Sequence, residues 1–185
     1  LAGALGVEAW PDVPSWLAAL EAGAEPPERV LVDATARTDA LSDLPAAVLA
    51  STTGCLSGLQ GLLSEPRLAS TPLVWVTSGA VGSGPLDAPS DLVHASLWGL
   101  VRSARSEHPD RVLRLVDLDS GSRVGLTSVL SADSEPELVW RHGVAQAARL
   151  RDAAEDGLSV PSEASAWRLD LPARGSLQNL RGIEV

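Results

Sequence analysis

The chain has 185 residues, 45% of them hydrophobic, 21% charged and 3% aromatic, which is enough for one ordinary domain with a core and lies outside the disordered and collagen-like classes. Its 24 acidic residues outweigh 14 basic ones, and the net charge of −10 repels phosphate backbones and anionic surfaces, so neither nucleic acid nor membrane is expected as a partner. No apolar run approaches the ~18 residues of a bilayer span and no basic stretch opens the chain as a secretory signal does, which sets the expected location in the cytoplasm.

Helical and strand signals alternate along the chain, the pattern of an α/β layer structure with a mostly parallel sheet. Val7–Trp10 reads as a short strand, followed by a helix over Pro14–Ala22 with Asp12 as its cap and Gly23 as its stop. Val30–Val32 is the next strand. From Leu44 to Ser64 the residues Leu44, Val48, Cys55, Leu59, Leu62 and Leu63 recur near the helical period, with Pro45 in the first turn and Pro66 beyond the end. Leu73–Val76 is apolar on both faces, as a central parallel strand must be, and a turn from Gly79 to Pro89 closes it. A helix then begins at Asp91, places Val93, Leu97, Leu100, Val101 and Ala104 on one face, and ends at His108-Pro109. Val112–Val116 gives another strand and Val124–Leu130 a short helix. Leu138–Arg141 and Val144–Ala148 flank the turn His142-Gly143, so the sheet is expected to end on an antiparallel hairpin. Residues 151–165 read as a linker and residues 166–185 as the start of a second domain.

All 14 basic residues are Arg, and Tyr, Phe, Lys and Met do not occur. A chain without Met is expected to be part of a longer polypeptide. Without Tyr and Lys, the proton-handling groups are His94, His108, His142 and the carboxylates. Cys55, the single cysteine, excludes an internal disulfide and zinc sites built on cysteine pairs, and its place on the apolar helix face reads as packing. The three histidines are too far apart in sequence to form a metal motif, with His94 expected on the polar side of its helix and His108 at a helix end. Trp75, Trp98 and Trp140 read as core or interface residues, Trp98 as the best interface candidate because it lies beside the main apolar stripe. The glycines of TSGAVGSG, Gly79, Gly82 and Gly84, run GxxGxG with Pro85 before the next helix. A dinucleotide fingerprint needs GxGxxG running into a helix, so a simple turn is favoured. A P-loop is impossible without Lys, and Ser83 lies in no GxSxG elbow.

The stretch from Pro72 to Asp119 resembles the structural subdomain of ketoreductases in modular type I polyketide synthases. The family has a strand ending VTxGAV, a helix with xxWGLxRxxxxEHP and a strand ending VDLD, matched here at Val76–Val81, Leu97–Pro109 and Val116–Asp119. PELVWRHGVAQAARL, residues 136–150, is similar to the family's closing hairpin, and the resemblance covers roughly residues 5–150. It implies a truncated Rossmann-like fold, its first strand missing before Leu1, without catalysis of its own. Such a domain packs against a second half that binds NADPH and reduces a β-ketoacyl thioester on acyl carrier protein. In a reductase of this kind the strand Leu73–Ser78 carries a catalytic Ser, and a Tyr opens the next helix with a Lys near it. Ser78 echoes that Ser, but Asp91 stands near the Tyr position and there is no Lys. Residues 174–180, RGSLQNL, resemble the opening of an enoylreductase domain, which implies a fully reducing module.

The chain is accordingly read as the non-catalytic structural half of such a ketoreductase, with no catalytic, cofactor-binding or metal residue of its own. Its expected partners are the catalytic half and the enoylreductase of the same polypeptide, and acyl carrier protein indirectly. Three alternatives stand beside this reading. One is a small Rossmann module that holds a nucleotide at its strand ends, another the equivalent half of a fatty-acid-synthase-like protein. The third is an enzyme using His94 or His142 with carboxylates.

Overall fold

The computed structural model describes residues 5, 7–36, 43–84, 87–119, 126–131, 134–150, 163–171, 173 and 179–185. It divides into two units, Leu1–Ala148 and Arg149–Val185. In the first, α1 (Val13–Glu21), β1 (Val30–Ala34), α2 (Leu44–Ser64), a 3-10 turn (Pro66–Leu68), β2 (Leu73–Ser78) and α3 (Leu92–Glu107) come in order. Next along the chain are β3 (Leu113–Leu118), α4 (Leu126–Ser131), β4 (Glu137–Arg141) and β5 (Val144–Gln146). The sheet runs β1-β2-β3-β4-β5, parallel through β4 and antiparallel at β5. The α/β class, the parallel sheet and the closing hairpin are as the sequence predicts.

Local chemistry sets the helix ends. The Asp12 carboxylate accepts the Ser15 N–H at 2.8 Å, Asp43 that of Ala46 at 3.1 Å and Asp91 that of His94 at 3.1 Å, each satisfying an amide with no helical partner. Gly23, at φ 104°, ends α1 in the left-handed region open to glycine. In the β4–β5 turn His142 (φ 52°) and Gly143 (φ 82°) are both left-handed, the twist a two-residue hairpin requires.

β2 and β3 are buried along their whole length and divide the core into two layers. Leu73, Trp75, Leu113 and Leu115 face α1, α2 and α3, whereas Val74, Val76, Val116 and Leu118 face α4. The strand order advances in one direction while α2 and α3 lie on one face and α4 on the other. The β3–α4–β4 crossover therefore has the opposite hand to the two before it, a rare arrangement.

Three expectations are corrected. Val7–Trp10 forms no strand: nothing among the described residues pairs with it, and Val7 and Trp10 are exposed. Alternating apolar residues make a strand only where a neighbour takes the backbone hydrogen bonds. Trp98 is buried in the α3 core layer, because its indole N–H donates to Thr77 Oγ1 at 3.1 Å and this bond turns the ring inward. The span criterion is met after all by α2. Its residues carry no charge, and by length and composition alone they could cross a bilayer, although Ser, Thr, Gly and Gln interrupt every purely apolar run.

In the second unit β6 (Trp167–Asp170) and β7 (Arg181–Glu184) form an antiparallel pair. The linker expected at 151–165 falls outside the described residues as far as 162, and so does most of RGSLQNL.

Candidate functional site

Open α/β sheets bind ligands beyond the carboxyl ends of their strands, so the ends of β2 and β3 are where a site is sought. Thr77 and Asp117 are register partners there, both fully buried. The Asp117 carboxylate accepts the Thr77 hydroxyl and the Ala80 N–H (2.9 Å), and it pairs with Arg141 from the end of β4. Arg141 in turn donates to the Val81 carbonyl at 2.7 Å, the Asp117 carbonyl at 3.2 Å and Asp87 Oδ2 at 2.8 Å. The Asp87 carboxylate also accepts the Ser83 N–H (2.9 Å) and hydroxyl (2.8 Å). Its pKa is drawn down to about 2, chiefly by the Arg141 guanidinium and then by Ser83.

This network folds the glycine loop onto the sheet. Gly79, at φ 75°, donates to the Leu118 carbonyl, and its own carbonyl accepts the N–H groups of Ser90 (2.8 Å) and Asp91 (2.9 Å), pinching the loop at its base. A side chain at Gly82 would collide with the Asp87 carbonyl. The N-terminus of α3, the natural seat for a phosphate, is occupied by the chain's own Asp91, which is buried, accepts the His94 N–H and meets His94 Nδ1 at 2.6 Å. Ser78 donates to the Asp119 carbonyl at 3.0 Å. The strand ends are thus filled by internal bonds between loop, sheet and helix.

The three histidines stay apart. His94 lies in the first turn of α3, His108 is the helix's C-cap about 21 Å away along the axis, and His142 sits in the β4–β5 turn. Among the described residues no three His, Cys, Asp or Glu side chains gather as a metal site. His94 is not on a polar face, as the sequence suggests: with Asp33, Cys55, Leu59 and Trp75 it lines a cavity of about 250 Å³ between β1, α2 and α3. Its bond to Asp91 holds it there. Burial pushes the Cys55 thiol up to about 11, against a smaller opposing effect of the Trp75 indole, and leaves it a packing group. On the other side of α3, Glu137 accepts from Arg102 (2.6 and 2.9 Å) and Arg105, and Arg102 stacks 5.4 Å from the Trp98 ring centroid.

The residues that organise this end, Asp87, Asp117 and Arg141, are ones the sequence reading passes over. The available signal is a charge inside an apolar strand, Asp117 in LRLVDL and Arg141 at the end of ELVWR.

Residues 2–150 match the family described as the Rossmann fold domain of the polyketide synthase extender module SpnB. The spectinabilin polyketide synthase system protein NorB of Streptomyces orinoci is 37% identical over 97% of this chain and 8% of its own length. The phenolphthiocerol synthesis polyketide synthase type I Pks15/1 of Mycobacterium marinum is 42% identical over 75% of this chain and 6% of its own. The chain thus spans less than a tenth of either relative. Among solved structures, the adenylation, ketoreductase and pseudo Asub multidomain structure of a keto acid-selecting NRPS module aligns with a TM-score of 0.52 at 17% identity, over 83% of this chain and 14% of that one, a likeness of fold.

Proposed function

The chain belongs to this family of Rossmann-fold domains in polyketide synthase modules, and we propose that within it residues 1–150 are the non-catalytic structural half of a ketoreductase. The observation that carries the reading is the Asp117–Arg141–Asp87 network, which ties down the loop and strand ends where a reductase would seat nucleotide and substrate. The composition supports it, since the chain has no Tyr or Lys to deliver or relay a proton. In this reading the segment binds the folded form of a catalytic half on the same polypeptide. It stabilises that half by linkage, while the half holds NADPH and reduces the β-ketoacyl thioester carried by acyl carrier protein in the cytoplasm.

Residues 166–185 would begin the next domain, an enoylreductase of a fully reducing module. The pair β6–β7 exposes Trp167 and Leu169, and an isolated two-stranded ribbon of this kind is marginal without further strands to cover it.

The test is to melt the catalytic half with and without this segment and to titrate NADPH into each. A lower Tm without the segment, with NADPH bound by the catalytic half alone, is the expected result. Equal melting temperatures, or saturable binding of NADPH by residues 1–185 with Kd below about 10 μM, overturn the reading.

A further inference from the structure

The cavity of about 250 Å³ between β1, α2 and α3 is bordered by none of the residues of the Asp117–Arg141–Asp87 network. Trp75 of β2, 1% exposed, borders it from the sheet, and Leu59 and Leu62 of α2 and Leu97 of α3, all buried, border it from the helices. Beside this apolar space lies one polar group that the fold does not use. The Trp75 indole N–H is next to the Cys55 thiol, itself a wall of the cavity, and makes no hydrogen bond among the described residues. A buried indole N–H ordinarily finds an acceptor, and one left without is unfavourable. His94, also on the wall, is held by Asp91 through Nδ1 at 2.6 Å.

Helix α2 keeps a way in. Gly54 stands between Ser51 and Gly58 on the row of the helix that borders the cavity, and it is exposed. Glycine inside a helix is unfavourable, and a Cβ at 54 would meet nothing within 4 Å, so packing within the chain does not require it. Gly58, one turn on, differs, because a Cβ there would meet Val13 at 3.4 Å. A side chain at 54 would narrow the opening without disturbing the fold.

We infer that this cavity is a binding site for a small, neutral, mostly apolar molecule, about the size of a substituted benzene ring, whose one oxygen accepts the Trp75 N–H. The volume sets the size. An apolar cavity of about 150 Å³ holds benzene, so 250 Å³ leaves room for a short substituent and far too little for a dinucleotide. The lining sets the charge. No Arg is among the described residues that border the cavity, and His94 is already matched by Asp91, so a carboxylate or phosphate would be buried without a counter-charge. A scaffold requires no such ligand, and the site stands or falls apart from that reading.

The probe is acetophenone, a benzene ring with one carbonyl, and the control is ethylbenzene, the same skeleton without the oxygen. Alkylation of Cys55 by iodoacetamide is followed peptide by peptide in the polypeptide that carries this chain, because a guest beside the thiol shields it. Saturable protection, half complete below about 1 mM acetophenone, is the expected result. Trp75→Phe should weaken protection by acetophenone at least fivefold more than protection by ethylbenzene, since only the first loses a hydrogen bond. Gly54→Leu should abolish protection by both, while Cys55 reacts no faster than in the parent, the sign that this variant is folded. No protection up to about 10 mM acetophenone overturns the inference, as does protection by ethylbenzene alone. An equal loss for both probes in Trp75→Phe overturns it too, because water and not a ligand oxygen would then meet the N–H. Undiminished protection in folded Gly54→Leu does the same by placing the probe elsewhere.

Discussion

Replacing Arg141 by Met keeps most of the side chain's length and removes its charge, which isolates what the guanidinium does at the strand ends. The fully buried Asp117 would keep the Thr77 hydroxyl and the Ala80 N–H but lose Arg141, its one charged partner among the described residues. The Val81 carbonyl would lose a donor at 2.7 Å, and Asp87 the group that holds its pKa near 2. Breaking a buried ion pair by removing one partner costs about 3–5 kcal/mol, because the other charge remains in a low-dielectric site. The Asp87 arm is partly exposed and adds little. The expected loss is therefore about 3 kcal/mol, a large share of the ~5–15 kcal/mol that holds a domain folded. Urea titration of the 185-residue chain by far-UV circular dichroism, at pH 7, would read it as a lower midpoint at unchanged m-value. Arg141→Met combined with Asp117→Asn should cost less than the two single changes added together, since neither charge is then stranded. A single-variant loss below about 1 kcal/mol, or strict additivity, would refute the claim that this pair fastens the loop to the sheet.

Gly82→Ala should destabilise the chain by about 2 kcal/mol, because the new methyl meets the Asp87 backbone rather than a side chain that could move aside; urea midpoints test this. Glu137 is held near 2, against 4.5 unperturbed, first by Arg102 and then by Arg105, so the unfolded chain binds more protons than the folded one between those values. Stability should fall as pH drops from about 4.5 to 2, by about 1 kcal/mol after solvent screening of the exposed Arg102, and Glu137→Gln should lose that increment of the pH slope. With its pKa near 11 in place of 9.0, Cys55 should react with thiol reagents at pH 8 about a hundredfold more slowly in the folded chain than in urea. Arg111 donates to the Leu62, Leu63 and Leu68 carbonyls at 2.9–3.3 Å, a fork no ammonium reproduces. Arg111→Lys should therefore cost about 1–2 kcal/mol by urea titration, and Arg102→Lys on the surface less than half of that.

What the sequence carried legibly was local. Asp12 and Asp91 cap helices because a carboxylate three residues ahead of a free amide needs no tertiary information, and α2 ends at Ser64 as its periodicity requires. The apolar run at 73–76 and the segment 112–116, apolar except for Arg114, identified strands covered on both faces, and His142-Gly143 a hairpin, for the same reason. The misses are all relational. Val7–Trp10 has the pattern of a strand and no neighbour to pair with. Trp98 sits off the main stripe, yet an acceptor on β2, 21 residues away, draws its indole inward. Arg141 reaches Asp117 across 24 residues and Asp87 across 54, separations that no motif of adjacent letters encodes.

The exclusive use of Arg obeys the same logic from packing outward. Beside Arg111, Arg67 donates to the Leu20 carbonyl at the end of α1, and Arg29 and Arg114 donate to Leu130 and Val129 at the end of α4. Each of these cations therefore meets the carbonyl end of a helix, where the last turn lacks backbone donors and the dipole favours positive charge. A planar guanidinium satisfies two or three carbonyls at once and keeps its proton at any physiological pH. A lysine would offer one point charge with a pKa that burial can move. That movable pKa is what makes lysine useful in catalysis, and it is of no use to a helix terminus. A chain whose cations fasten the helix ends and the loop over the sheet is built to hold one shape.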